Sequence, residues 1–279
     1  MPELPEVETV VRGLQSLIGS TVESVDYSKI KGLLKNDKPE ALSLLVGWTL
    51  TSVERRGKWI KFRWIDTRQN SHFLAQGLLS HLGMFGGWII NGPLTSRSRL
   101  TLKLNGLAGA VDLTYEDLRS WGRLYIGSVN WTENYLRHLG PDALHIESRY
   151  LIYKLSKRTD PIVEALLDQS LLAGIGNIYR SEILNLAGIA PDRPCTDLTS
   201  HEIIRMRYAI DEVLMSAINH RGSSISDYRG TDGSSGSYQN KLTTYDKRGQ
   251  QCSTPRCEGT IVKTNQWDRS VYYCPSCQK

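Results

Sequence analysis

The residues with the plainest chemical capacity stand at the start of the chain: Met1, Pro2 and Glu3. A small residue after an initiator methionine is the usual condition for its removal, which leaves Pro2 with a free secondary amine. An α-amino group titrates near about 7.7–8.0, against about 10.4 for lysine, so a good part of it is nucleophilic at neutral pH without burial. A secondary amine that attacks a carbonyl-level carbon gives a charged iminium, an electron sink that acidifies the neighbouring C–H and leads to elimination. Glu3 can supply a proton to a leaving or ring oxygen, the role of a carboxylic acid whose pKa is raised at a reaction centre. On the residues alone, an ordinary Met-Pro-Glu start with Glu3 favouring a helix N-terminus accounts for the same pattern.

A second signal lies in the tail. Cys252 and Cys257 are separated by four residues, Cys274 and Cys277 by two, with sixteen between the pairs. Two thiolate knuckles on a β-hairpin suit one tetrahedral zinc ion, structural because protein fills all four positions. Clustering of this kind in a reducing compartment favours metal over disulfides. Cys195, next to a proline, is expected to be a buried or loop thiol.

Four stretches between these ends carry further chemistry. Arg55-Arg56-Gly57-Lys58 lets the backbone approach a ligand at Gly57 and offers a cation at Lys58, although a solvated basic strand fits the residues as well. In His81-Leu82-Gly83-Met84-Phe85-Gly86-Gly87, Met84 is a deformable filler that suits a core equally, and His81 suits an ordinary hydrogen bond. Asp117-Leu118-Arg119-Ser120-Trp121-Gly122 sets a cation beside an aromatic, and a core Trp on a strand is the competing reading. Ala173-Gly-Ile-Gly-Asn-Ile-Tyr179 leaves backbone N–H groups for an anion, with Asn177 as N-cap or direct donor; a plain helix–turn–helix joint uses the same glycines. Arg97, Arg99, Lys157 and Arg158 are candidate phosphate contacts.

These groups need a frame. Val7, Val10, Val11, Leu14, Leu17 and Ile18 follow helical spacing behind Pro5. From Thr21 to about Val129 short runs alternate: Ile60, Phe62 and Trp64, then Leu100, Leu102 and Leu104, then Val111, Leu113 and Tyr115 each face one way. Alternation then yields to helical spacing, with helices expected over 146–157, 161–172, 178–187 and 199–220, the last opened by a Thr199/Glu202 capping box and stopped at Gly222. The Gly/Ser-rich residues 221–240 are expected to form a long mobile loop. The fold class expected is α+β: an N-terminal antiparallel β-sandwich with a flanking helix, then helices and a β-hairpin zinc finger. The divisions expected are 1–130, a linker at 131–148, a helical domain at 149–222, a flexible loop at 223–240 and the zinc finger at 241–279.

At 279 residues, with 40% hydrophobic and 23% charged residues, the chain has the composition of an ordinary two-domain protein. A net charge of +5 permits a polyanionic partner without requiring one. No apolar run reaches the roughly 18 residues of a membrane span, and no secretory signal opens the chain. A cytoplasmic (bacterial nucleoid) or nuclear location is therefore expected.

MPELPEVETV followed by an Arg-Gly-Leu helix resembles the start of the formamidopyrimidine-DNA glycosylase family, and the stretches above extend the match over nearly the whole chain. The resemblance implies a bifunctional base-excision repair enzyme acting as a monomer on duplex DNA that contains oxidised purines (8-oxoguanine, formamidopyrimidines) or abasic sites. It implies that Pro2 attacks C1′ of the damaged nucleotide while Glu3 protonates the sugar ring oxygen. Loss of the base is followed by β,δ-elimination, with Lys58 and Arg269 assisting. It implies further that Met84 fills the hole left by an extruded nucleotide, with His81 near the backbone. Arg119 bonds the orphaned base, Trp121 wedges the stack, and Asn177, in a helix-two-turn-helix clamp, holds phosphate with Arg269. Lys263 and Trp267 project from the same hairpin as Arg269. Phe85 stands where the family commonly has serine, and Ser120 and Trp121 where it has arginine and phenylalanine. The first knuckle is two residues longer than the usual Cys-x2-Cys. The alternatives are an oxidised-pyrimidine glycosylase of endonuclease VIII type, a non-catalytic zinc-bearing DNA-binding protein, and an N-terminal-proline tautomerase.

Overall fold

A computed structural model of the chain describes residues 1–30, 32–68, 75–106, 109–225, 228–265 and 269–279. Contacts divide the chain into two compact units: Met1–Arg137 with His220–Ser237, and His138–Asn219 with Tyr238–Lys279.

The first unit begins with α1, Leu4–Leu14, whose Val7, Val10, Val11 and Leu14 are buried as their spacing requires. The helix tightens to a 3-10 turn over Gln15–Leu17, which keeps Leu17 buried but turns Ile18 outward, 38% exposed. Ile18 therefore leaves the apolar face on which α-helical spacing placed it. Eight strands follow: β1 Thr21–Asp26, β2 Thr49–Arg56, β3 Trp59–Ile65, β4 Ala75–His81, β5 Gly86–Ile90, β6 Ser98–Gly106, β7 Gly109–Asp117 and β8 Arg123–Ser128. Their order is β5-β7-β6-β1-β2-β3-β4-β8, and the pairings are antiparallel. β1 and β2 share one register pair, Thr21↔Thr49, so the sheet falls into two four-stranded halves.

The halves face each other through aromatic side chains. Phe62 of β3 meets Trp88 of β5 with ring centroids 5.1 Å apart, and Trp88 meets Tyr115 of β7 at 5.1 Å. The Trp88 indole N–H donates to Ser80 Oγ of β4 at 3.0 Å, which satisfies its polar atom inside the core. Ile60, Phe62, Trp64, Leu100, Leu102, Leu104, Leu113 and Tyr115 all point into this sandwich, as their alternation required. Glu8 on α1 accepts from Arg55 Nε at 2.8 Å and from Arg12 Nε at 2.9 Å, which ties the helix to the end of β2. The unit's second helix, α2, spans Val129–Tyr135 and starts at Ser128, whose Oγ accepts from Trp131 N.

The second unit holds α3 Ser148–Leu155, α4 Ile162–Ala165, α5 Asn177–Ala187, α6 Ser200–Asn219 and a hairpin of β9 Val262–Thr264 with β10 Val271–Tyr273. The helix expected over 161–172 stops after one turn. Asp168 accepts from Ser170 N at 2.9 Å and from Arg158 Nη1 at 2.6 Å, a local turn that competes with helix continuation. The capping box of α6 forms as expected: Thr199 N donates to Glu202 Oε2 at 2.8 Å and Glu202 N to Thr199 Oγ1 at 3.3 Å.

One buried carboxylate fastens the approach to the hairpin. Glu182 on α5 accepts from Thr243 N, Thr243 Oγ1, Thr244 N and Tyr245 N at 2.7–2.9 Å. Glu182→Ala strands three backbone donors, so denaturant unfolding should show a loss of about 3 kcal/mol, with Glu182→Gln losing less. A change in Glu182→Ala below about 1 kcal/mol would mean that water replaces the carboxylate without cost.

Candidate functional site

The site is assembled first around the opening residues. Glu3 caps α1: its backbone N–H donates to Glu6 Oε2 at 2.8 Å, and its side chain accepts from the Glu6 backbone in return. Glu6, buried to the same degree as Glu3, offers its other oxygen to Ser223 N at 2.7 Å. Tyr228 OH donates to the Glu6 carbonyl at 3.2 Å. Gly222, at φ +76°, lies so close that a Cβ there would stand 2.6 Å from Glu6 Oε1. Pro2 itself is buried.

Glu6 lies one helical turn beyond Glu3, and nothing in the neighbouring sequence announces Ser223 or Tyr228 as its partners. The stretch expected as a mobile loop is bonded at several further points. Arg221 pairs with Asp232 at 2.9 Å, and Thr231 O accepts from Ile90 N at 2.8 Å.

A recess of about 570 Å³ brings Met1 beside Met84 and Trp121. Its lining is Met1, Lys35, His81, Gly83, Met84, Ser120, Trp121 and Arg123. Lys58 occupies, with Gly57 at φ +58°, the two-residue turn between the paired Arg56 and Trp59, and is itself buried. Burial first, and then the cations of Lys58 and Arg123, push the His81 pKa down to about 4. The imidazole is therefore neutral at pH 7. Its Nδ1 accepts from Gly83 N at 3.1 Å, so the proton sits on Nε2, which is left to donate.

Met84 and Trp121 stand on two turns, one between β4 and β5 and one between β7 and β8. Met84 is 42% and Trp121 52% exposed, so neither fills the core. Asp117, fully buried, accepts from Arg119 N at 3.0 Å and Gly122 N at 2.7 Å, fixing both ends of the Arg119–Trp121 tip. Arg99 braces the same tip from below, donating to Leu118 O at 3.2 Å and Ser120 Oγ at 3.3 Å. Arg97 stays exposed at the edge of this region.

In the second unit, Gln169 shapes the glycine turn: its Oε1 accepts from Gly174 N and its Nε2 donates to Ile175 O, both at 2.9 Å. Gly176, not Asn177, is the N-cap of α5. Asn177 is the first helical residue, and its amide is shared between two partners. Nδ2 donates to Ser270 O at 3.2 Å, and Oδ1 accepts from Arg180 Nη2 at 2.6 Å. This puts Asn177 one residue from Arg269, which is exposed.

Arg158 departs from its expected role as a phosphate contact. It is engaged by Asp160 at 2.8 Å and Asp168 at 2.6 Å, and those carboxylates raise its pKa. Lys157 Nζ lies 2.6 Å from Tyr153 OH, and Lys263 is exposed. Trp267 lies outside the described residues.

The four tail cysteines converge, all Sγ atoms lying within 4.8 Å of one another. Cys252 Sγ and Cys277 Sγ are 3.7 Å apart, and Cys257 Sγ and Cys274 Sγ 3.6 Å. Tetrahedral bonds of about 2.3 Å from zinc to sulfur place sulfurs about 3.8 Å apart, so the donor set fits a single ion. Within the first knuckle, Thr254 Oγ1 lies 3.4 Å from Cys252 Sγ. Cys195 is buried and apart from this cluster.

The neutral His81 has a consequence for stability. Its folded pKa lies below the unfolded value of about 6.5, so the unfolded chain binds more protons between the two. The contribution is complete above the unfolded pKa and is lost as pH falls toward the folded one. Thermal unfolding from about pH 7 to about pH 5 should therefore show a steeper decline for the wild type than for His81→Gln. Parallel declines would place a charged imidazole in the folded protein.

With this geometry in view, the chain can be set beside known proteins. Residues 1–124 match the model of the formamidopyrimidine-DNA glycosylase N-terminal domain, and residues 139–229 that of the formamidopyrimidine-DNA glycosylase H2TH domain. A formamidopyrimidine-DNA glycosylase from Cereibacter sphaeroides is 35% identical over 294 residues, spanning 100% of both chains. Among solved structures, Lactococcus lactis Fpg in complex with abasic-site DNA superposes with a TM-score of 0.85 at 32% identity, covering 99% of each chain. MutM in complex with DNA containing carbocyclic 8-oxo-G does so at 0.86 and 33%, covering 100% of each. The chain belongs to the formamidopyrimidine-DNA glycosylase family and is a DNA glycosylase and abasic-site lyase of that class.

Proposed function

We propose that this enzyme removes oxidised purines, 8-oxoguanine and formamidopyrimidines, from duplex DNA and opens the resulting abasic site through an imine at Pro2. The observation that carries the reading is the recess that joins Met1 to Met84 and Trp121 in one unit. A nucleophile at the chain start is useful only where a nucleotide can be held out of the stack, and the wedge residues stand at that place.

Removal of Met1 exposes the Pro2 nitrogen. The amine attacks C1′ and displaces the base, which leaves with the electron pair of the N-glycosidic bond; the amine gives up its proton, Glu3 protonates the ring oxygen, and cleavage of the C1′–O4′ bond opens the sugar to an iminium at Pro2. The resulting iminium acidifies C2′; loss of that proton expels the 3′ phosphate, and a second elimination expels the 5′ phosphate. Lys58, in its turn beside His81, and Arg269 are the cations assigned to these eliminations. His81 Nε2–H and Asn177 are assigned to backbone phosphates, as is the exposed Arg97. Arg119 is assigned to the orphaned base, and Met84 and Trp121 to the vacated stack. Arg158 is left out, because its two carboxylate partners already hold it. Duplex DNA is the partner, and the solved relatives with an abasic site and with carbocyclic 8-oxo-G support that choice. A single zinc ion held by Cys252, Cys257, Cys274 and Cys277 gives the hairpin its fold and takes no part in the chemistry.

Borohydride treatment of enzyme on an abasic-site duplex should trap a covalent adduct through the chain terminus, located by mass spectrometry at a Pro2 that has lost Met1. Pro2→Gly or a retained Met1 should abolish trapping, and Glu3→Gln should slow base release by about 100-fold or more. An adduct that survives a blocked terminus would sink the mechanism, and tight binding without any adduct would favour a non-catalytic DNA-binding protein. A panel of oxidised purines and pyrimidines separates the proposed substrate class from the endonuclease VIII-like alternative.

Metal analysis should return one zinc per chain. Its removal by chelator should weaken DNA binding and expose four titratable thiols in addition to Cys195, whose burial pushes its pKa to about 12. Full DNA binding after complete metal loss would contradict the structural assignment.

A further inference from the structure

The two turns that carry the wedge are joined by a contact that the family pattern does not contain. Phe85, where serine is common, and Trp121, where phenylalanine is usual, lie against each other with ring centroids 5.6 Å apart. The Arg119 guanidinium covers both: its Cζ is 4.7 Å from the Phe85 centroid and 5.3 Å from that of Trp121. Phe85 comes from the turn between β4 and β5, and Arg119 and Trp121 from the turn between β7 and β8. The two departures are therefore one feature, a cation held against two rings drawn from separate turns.

The backbone beneath is equally joined. Gly83, at φ +63°, packs so closely that a Cβ would lie 2.6 Å from the Trp121 carbonyl oxygen. The Tyr115 hydroxyl sits between Gly86 of one turn and Gly122 of the other, 2.1 and 1.9 Å from the Cβ each would carry. Asp117 is occupied by the backbone N–H groups of Arg119 and Gly122, and among the described residues the Arg119 side chain forms no ion pair. Its orientation is left to the rings.

A guanidinium donates in its own plane, whereas aromatic rings hold its face. Contact with two rings inclined at 59° to each other therefore holds the guanidinium without consuming a donor. An arginine fixed in this way loses its rotamer freedom before DNA arrives, and its donors meet the edge of an orphaned base at set positions. A mobile arginine adjusts to any base edge and discriminates less. We infer that Phe85 is a specificity-determining positioning residue: it holds Arg119 so that the enzyme distinguishes the base opposite the lesion. This rests on the assignment of Arg119 to the orphaned base.

The test measures binding alone, on duplexes bearing a tetrahydrofuran abasic analogue opposite dC, dA, dG or dT. The readout is the ratio of the tightest to the weakest dissociation constant. Phe85→Tyr keeps a π face and should keep the wild-type ratio. Phe85→Leu, which keeps apolar bulk without a ring, and Phe85→Ser should shrink it about 2-fold to 5-fold. Arg119→Ala should shrink it further, and adding Phe85→Leu to Arg119→Ala should change nothing more. A wild-type ratio in Phe85→Leu overturns the inference, as does a further loss in the double variant, since Phe85 would then act without Arg119. Wild-type protein that binds no abasic-analogue duplex overturns the functional reading itself, and this inference with it.

Discussion

The first unit depends on one buried carboxylate. Glu6 accepts backbone N–H groups from Glu3 and Ser223, residues far apart in the chain, while its own carbonyl receives Tyr228. A buried carboxylate left without donors is costly, so these bonds fix the two stretches together. Chain termini fray unless tied down, and a nucleophile on a frayed terminus cannot be aimed. The Glu6 arrangement converts the least ordered part of a chain into one of its better defined parts. It also explains glycine at 222, where any side chain would collide with that carboxylate.

What the sequence made legible was whatever rests on local periodicity or fixed spacing. The alternating strands, the face of α1 as far as Leu14, the capping box of α6 and the four cysteines all have signatures within a few residues of one another. What it hid rests on contacts across long stretches of chain. Residues 221–240 looked featureless because their partners, Glu6 and Ile90, lie far away in sequence. Arg158 looked like a free cation because Asp168 reaches it only after the chain turns back, and that same turn ends the helix expected over 161–172. Asn177 looked like a cap, but the shape set by Gln169 hands that place to Gly176 and frees the amide for the hairpin.

Electrostatics around His81 follow the same logic. A histidine among cations and out of water is neutral, and a neutral imidazole with Nδ1 already accepting has a single fixed donor. Burial, aided by the neighbouring Lys58 and Arg123, sets the protonation state of His81. A charged His81 would place a third cation there and lose the Gly83 bond that shapes the Met84 turn. Neutrality at this residue therefore preserves geometry, and geometry in that turn positions Met84.

Departures from a family pattern are better read in pairs than singly. Phe85 alone suggests a disturbed tip, and Trp121 alone a larger wedge; in contact, they form one surface on which Arg119 rests. The lengthened first knuckle behaves in the same way. Within it, Thr254 Oγ1 lies 3.4 Å from Cys252 Sγ and 3.8 Å from Cys277 Sγ, so a hydroxyl stands beside the sulfurs. A thiolate bound to a metal accepts such a donor, which lowers its charge density and orients it. In both places the substituted residues contact one another or the functional atoms.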